Sequence, residues 1–490
     1  MRSLLLALSS VVLLFTSAAQ APLESSPELK RIVGDIMVGG HAYDTLEQLT
    51  GKFGARLTGT RNYGRAAEWA LQQFKSYGVD DAHLEYWTLA HGWKRGTASA
   101  VIVSPEVNGE QPRAIHIASA GWSSSTAQGG AEGEIYVPDA ITPEALAAKA
   151  AEIKGKIILL DRRKLPHNSE LDTLDEEQLS ARLKLYGVLA ILDRSHLANA
   201  VIATTDPAWH GDVLPTPYGY IGAEDFAAID RALKMGPVRV RVDIQNTVSG
   251  PVQVPNIVAE IRGSSRPQEW VLLGAHFDSW DFATGAQDNG AGSAQVMEAA
   301  RAIADEVPAS GKRPARSIRF ALFGGEEEGL LGSYAYVEQH RNELANCAVM
   351  LNTDNGAGLP NGWNVEGRKD IADALRPLSE HLLRGLNGAG IENKFDFETD
   401  HGPFALQGVP ALNMWVDMSK YGEVHHLPGD TLEKVNRHNL EDGAALIAVT
   451  AYALADADKR LGPQLSHAEV EEMLKSDKVG DYLKQSGLWQ

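Results

Sequence analysis

Six side chains in this 490-residue chain have the types and spacing for metal-assisted hydrolysis: His276, Asp288, Glu326, Glu327, Asp354 and His426. His276 follows the apolar run Trp270–Ala275. Glu326 and Glu327 follow a second run, Ser317–Phe323, and Asp354 follows a third, Asn346–Thr353. Asp288 lies in a Gly-rich stretch after the first run, and His426 lies in a later loop. Two imidazoles and several carboxylates suit zinc, and a carboxylate has two oxygens with which to bridge two ions. Each residue alone is a weak signal; the ordered set is what carries weight.

The neighbours of these residues refine the expectation. Asp278 stands two residues beyond His276, on the same side of an extended chain. It is placed to accept the second ring N–H and fix the tautomer. Asp288 precedes a helical stretch, Ser293–Ile303, and a carboxylate near a helix N-terminus is favoured by the dipole. A phosphate-binding loop is the competing reading of Gly285–Gly292, but neither the P-loop pattern with its lysine nor a G-x-G-x-x-G is present. The acids Glu326, Glu327 and Glu328 would repel one another in isolation and read as a solvated loop. After a buried run that follows His276 and Asp288, they read instead as a metal ligand beside a general base. His425 and His426 form a late pair before Asp430-Thr431, and Asp400-His401 is a further polar cluster.

These residues need a scaffold. The short apolar runs alternate with helical stretches, as buried parallel strands do, and open α/β sheets gather ligands at the carboxyl ends of such strands. The expected fold class is therefore α/β, with a mostly parallel central sheet flanked by helices. A helix is expected over Tyr63–Tyr77, with Ala66, Ala67, Ala70, Leu71 and Phe74 on one face. Residues 96–250 change texture to short β-like runs, among them Thr97–Val103, Ala114–Ala118, Gly133–Val137, Ile153–Arg162, Leu183–Leu192 and Val238–Val242. They read as a strand-rich insert between catalytic segments 51–95 and 251–462. His167, His196 and His210 are isolated there and read as surface or core histidines. Residues 22–50 are a leading segment or propeptide, and the tail, 463–490, is polar with one helical stretch, Glu469–Leu474.

A net charge of −19, from 45 basic and 64 acidic residues, argues against nucleic acid and anionic membranes as partners. Residues 1–21 have the pattern of a secretory signal: Arg2, the apolar stretch Leu4–Phe15, then Ala19-Gln20-Ala21. That stretch is too short to span a bilayer, so a secreted or periplasmic protein without stable membrane insertion is expected. Cys347 is the sole cysteine, so no intrachain disulfide can form.

In order and local context, these motifs resemble the co-catalytic dizinc exopeptidases, the aminopeptidase and glutamate carboxypeptidase superfamily, and within it the carboxypeptidase Q-like branch. The matching elements are His276-x-Asp278-Ser-Trp-Asp281, Gly-Ala-Gln-Asp288-Asn, Glu326-Glu327-x-Gly-Leu, Asn-x-Asp354, Thr399-Asp400, Lys420-Tyr421 and His425-His426 before Gly-Asp430-Thr. The middle region, around Lys154–Asp161, resembles a protease-associated domain. The resemblance implies two Zn2+ per chain. His276, Asp288 and Asp354 would bind one ion, and Asp288, Glu327 and His426 the other. Glu326 would act as general acid and base, with Asp278 behind His276. His425 falls where several relatives carry a carbonyl-polarising Tyr, so an oxyanion role is expected of it. The implied function is a zinc metallo-exopeptidase acting on dipeptides or short peptides, in a branch that is often dimeric. Three alternatives stand beside it: an aminopeptidase, a single-zinc glutaminyl cyclase, and a receptor without catalysis.

Overall fold

The computed structural model describes residues 26–105, 112–165, 174–204, 211–476, 479–485 and 489. The signal segment, His167 and His210 lie outside the described residues. The chain begins with two helices, α1 (Pro27–Gly39) and α2 (Ala42–Lys52). Both bury an apolar stripe, Leu29, Ile32 and Ile36 on α1 and Leu46 and Leu49 on α2. A two-bond ion pair from Arg31 to buried Glu306 fastens α1 to the body of the protein. Helix α3 (Arg61–Ser76) starts where the Thr60 hydroxyl caps Tyr63 N–H, and it buries the apolar face expected from its periodicity. Gly78, at φ +78°, then lets the chain turn into β1 (Asp81–Leu89).

Between β1 and the rest of its sheet comes the insert. Its strands are β2 (Trp93–Ser104), β3 (Arg113–Ile115), β4 (Ile117–Ser119), β5 (Ala131–Tyr136), β6 (Ile157–Leu160), β7 (Ala190–Arg194), β8 (Tyr218–Ile221) and β9 (Arg239–Val248). The chain enters on β2 and returns on β9, paired antiparallel from Trp93↔Val248 to Ser104↔Arg239. The sheet order is β3-β2-β9-β5-β6-β7-β8-β4, with β5 to β8 parallel. The two edge strands are successive pieces of one run, 113–119, so the sheet curls almost shut. Helices α4 (Pro143–Ala148), α5 (Ala150–Ile153), α6 (Glu176–Leu185) and α7 (Ala223–Leu233) cover it. The run Leu183–Leu192 is not one strand: its first residues end α6, Gly187 turns at φ +76°, and only Ala190 onward joins the sheet. A continuous apolar run does not distinguish a buried helix end from a buried strand.

The sheet that β1 began resumes with β10 (Val252–Ile261), β11 (Arg266–His276), β12 (Arg316–Phe323), β13 (Cys347–Asn352), β14 (Pro360–Asn364), β15 (Gly390–Glu392) and β16 (Ala411–Val416). Its order is β1-β10-β12-β11-β13-β16-β14-β15. The four central strands, β12-β11-β13-β16, are parallel, and antiparallel pairing begins at β10 and at β14. Central strands are buried on both faces, which is why they read as unbroken apolar runs. On one face lie α8 (Ala291–Ser310) and α12 (Arg437–Asp456), both rich in alanine and packed against each other. The remaining helices are α9 (Leu331–Gln339), α10 (Lys369–His381), α11 (Gly402–Leu406), α13 (His467–Ser476) and α14 (Val479–Gln485). The last two extend the helical stretch expected of the tail. Val470, Leu474, Leu483 and Trp489 are buried in a cluster with Phe397 and Phe404. No helix among the described residues is long and apolar enough to cross a membrane.

Candidate metal centre

Strand β11 delivers His276 at its carboxyl end, beside Phe323 at the end of β12. Phe277 N–H donates to Phe323 O at 2.6 Å, and the Ser293 hydroxyl of α8 donates to His276 O at 2.7 Å. Beyond this point the chain is held by Arg56, which is fully buried. Its guanidinium donates to Phe277 O (2.7 Å), Thr284 O (2.9 Å) and Gly285 O (2.9 Å). Gly285 has φ +60°, and a Cβ there would lie 2.3 Å from Ser279 Cβ, so the loop can close only on glycine. Asp430 then fixes the next two residues, accepting from Gln287 N–H at 2.7 Å and Asp288 N–H at 3.2 Å.

The other carboxylates are aimed in the same manner. Asp278 accepts from the Thr58 hydroxyl (3.0 Å), Glu327 N–H (3.2 Å) and Glu326 N–H (3.4 Å), so one buried side chain orders the Glu326-Glu327 turn. Asp354 follows β13, and the preceding Thr353 N–H donates to Gly274 O of β11. His426 is presented from a left-handed backbone position, φ +56°.

Seven of the eight candidate residues converge in one buried cluster. Asp288 lies at its centre: Oδ1 is 3.2 Å from His276 Nε2, and Oδ2 is 3.4 Å from His426 Nε2. His276 Nε2 also faces Asp354 Oδ1 at 3.1 Å, and Glu326 Oε2 stands 3.9 Å away. His426 Nε2 faces Glu327 Oε2 at 3.0 Å. On the far side of the His276 ring, Nδ1 is 3.7 Å from Asp278 Oδ1. His425, the eighth, is half exposed at the rim, stacked on His426 at 3.9 Å between ring centroids, with Nε2 3.8 Å from Asp288 Oδ2. His196 is on the exposed surface of the insert, outside this cluster.

Asp288 Oδ2 and Glu327 Oε1 are buried acceptors with no hydrogen-bond partner among the described residues. Such oxygens are costly unless a cation meets them. Burial, reinforced by Asp288, pushes the Glu327 carboxyl well above the usual range. Burial also raises Glu326, helped by Asp354, Asp400 and Glu327 and opposed by His276. Asp400, fully buried, is pushed up to about 7, chiefly by burial. This excess of carboxylate oxygens around two imidazoles fits divalent cations, and the donor set, nitrogen plus oxygen, fits zinc.

Arg56 and Asp430 were not assigned roles from the sequence. Both had a visible signal, since Arg56 opens the polar segment before α3 and Asp430 belongs to the Gly-Asp-Thr motif, but their contacts span more than a hundred residues. Trp280 stands edge-on to His426, with ring centroids 6.1 Å apart. Tyr421 lies tilted against His425, ring centroids 5.1 Å apart, and lines a cavity of about 260 Å³ with Gln287 and Asn355, the neighbours of Asp288 and Asp354.

Comparison with known proteins identifies the family of this chain. The model of Peptidase family M28 matches residues 256–451, a span that holds every candidate ligand. Carboxypeptidase Q of Mus musculus is 30% identical over 86% of this chain and 87% of its own length. The structure of a Peptidase M28 precursor from Shewanella amazonensis SB2B superposes with a TM-score of 0.74 at 28% identity, covering 89% of this chain and 98% of that one. The zinc aminopeptidase BSAP from Bacillus subtilis shares the fold, with a TM-score of 0.65 at 22% identity over 86% of this chain and 95% of its own. The family match thus covers the segment of the candidate ligands, and the similarity to a carboxypeptidase Q runs through the insert as well: the chain belongs to peptidase family M28.

Proposed function

We propose that this protein is an exported dinuclear zinc exopeptidase that hydrolyses dipeptides or short peptides, as a carboxypeptidase Q-like enzyme. The observation that carries this reading is Asp288, whose two oxygens face different imidazoles. Asp288 would serve both ions: His276, Asp288 and Asp354 would hold one, and Asp288, Glu327 and His426 would hold the other. Zinc, when bound, lowers the pKa of coordinated water and polarises a carbonyl.

The chain's own residues do the rest. Glu326 Oε2 takes a proton from the attacking water and returns it to the leaving amine. A buried carboxyl with a raised proton affinity suits a group that must hold a proton between the two steps. Asp278 holds the Glu326-Glu327 backbone and orients His276. His425, at the open rim, is the candidate to donate to the developing oxyanion.

The test uses zinc-loaded full-length protein with unblocked dipeptides and their N-acetylated and C-amidated analogues, beside Glu326→Gln. Two zinc ions per chain, cleavage by the wild type and little by the variant support the reading. The tolerated block separates carboxypeptidase from aminopeptidase. No cleavage with both sites filled would return the weight to a binding role. Sequencing the N-terminus of exported protein tests removal of residues 1–21.

A further inference from the structure

The insert is fastened to the loops of the candidate metal centre at two places. Thr204 N–H, after β7, donates to His426 O at 3.1 Å. Arg95, on β2, donates to Asp281 from Nε at 2.9 Å and from Nη2 at 2.8 Å. The same guanidinium lies 4.4 Å from the centroid of the Phe282 ring. Asp281 and Phe282 belong to the loop between His276 and Asp288. These contacts hold one face of the insert beside the metal pocket.

Along that face runs a groove of about 850 Å³, a size that suits a small ligand. The insert lines it with Ala100 and Val101 of β2, Ile117 and Ala118 of β4, and Val201 and Ile202 after β7. Phe282, Leu427 and Pro428 line it from the metal-bearing part of the chain. Phe282 and Leu427 also line the pocket of Asp288, Glu327 and His426, so groove and metal pocket adjoin along these two side chains. The lining is small and aliphatic, and its ionisable side chains are His116 and Glu423. The His116 ring is already matched by Asp225, 2.9 Å from Nδ1. Glu423 is exposed and has no ion pair among the described residues.

A peptide whose carbonyl sits at the metal centre must place its side chains in the space next to it. The metal pocket is polar and crowded with carboxylates, whereas the adjoining groove is apolar. We propose that this groove is a specificity subsite that takes an aliphatic side chain of the substrate, with Glu423 selecting against an acidic one. This rests on the peptidase reading above and narrows its substrate class. Burial of an aliphatic group against such walls is favourable in proportion to the area removed from water. A carboxylate entering the groove would lose its water and meet the like charge of Glu423. A lysine could lay its methylenes along the walls and bring its ammonium to Glu423.

The test measures kcat/KM for alanyl-alanine, leucyl-alanine and alanyl-leucine with zinc-loaded wild type, Val201→Asp and Glu423→Lys. Wild type is expected to prefer one leucyl dipeptide over alanyl-alanine by about tenfold or more, the discrimination that extra methylenes give in an apolar pocket. The position of that leucine tells which side of the cleaved bond the groove serves. Val201→Asp, at a half-buried position of the lining, is expected to bring the ratio close to one. With lysine or glutamate in place of that leucine, wild type should favour lysine, and Glu423→Lys should reverse the order. An unchanged order in Glu423→Lys overturns the assignment of Glu423. No leucine preference in wild type, or a preference that Val201→Asp leaves intact, overturns the subsite and leaves the peptidase reading standing. Wild type that cleaves no dipeptide overturns both. If thermal melts show Val201→Asp unfolded, Val101→Asp decides, because Val101 is a second half-buried residue of the same lining.

Discussion

Asp288 and Asp430 show how much of this centre depends on acids that perform different work. Asp288 offers both oxygens to the cluster, while Asp430 spends both on backbone N–H groups, at 2.7 and 3.2 Å, and never faces the imidazoles directly. Removing Asp430 should therefore loosen the loop that aims Asp288 without removing a ligand. Asp430→Ala is expected to weaken zinc binding by about 10–100-fold, the usual effect of losing a partner that orients a ligand. Competition with a fluorescent chelator measures this; an unchanged affinity would show that Gln287 and Asp288 need no such anchor. Sequence shows Asp430 only as part of a motif, because the two amides it holds are some 142 residues away in the chain.

Whole elements are joined by a few buried or half-buried polar groups. Arg56, from the segment before α3, binds the carbonyls after β11 and within the Gly-rich loop. Arg56→Met would leave those carbonyls unpaired, and a loss of about 3 kcal/mol or more is expected by denaturant titration. A loss below roughly 1 kcal/mol would mean that water replaces the guanidinium. His340, just after α9, ties that helix to β1 through Glu85 at 3.0 Å and also contacts Glu343. Burial opposes its charge, but the two carboxylates outweigh burial and raise its pKa above the ordinary value. The folded state thus holds an extra proton. Its contribution is complete below the ordinary imidazole value and fades as pH rises through the raised one. Wild type should lose stability over that interval relative to His340→Gln, a difference that paired melting curves across pH will detect. Equal slopes would remove this role.

At the scale of the molecule, the catalytic sheet and the insert meet at the loop that carries His426, where Thr204 N–H donates to His426 O. Binding of zinc to the folded chain alone would stabilise it by mass action, about 4 kcal/mol at a thousandfold excess over Kd. Chelation is therefore expected to lower the Tm of the wild type by several degrees, while Asp288→Asn, lacking a charged bridge, should be nearly insensitive. A chelator effect of equal size in both would separate stability from this site. The tail belongs to the same unit, since Leu474 and Leu483 pack with Phe404, just beyond Asp400 and His401.

The order of the candidate ligands, the apolar strands that end in them and the buried face of α3 were legible in the sequence, because they depend on residue type and short-range period. The family resemblance rested on the same residues. Local pattern failed where two structures share one composition, as at Leu183–Leu192, where a helix end and a strand meet across Gly187. Tertiary structure decided the rest. His425 and His426 are adjacent and chemically alike, yet the left-handed backbone at His426 turns that ring onto Glu327 and leaves His425 half exposed. The divergence of the Asp288 oxygens, the grip of Arg56 and the insert's contact with the His426 loop likewise arise from contacts between distant segments. Residue type sets what a side chain can bind; only packing of the whole chain sets which atom it faces.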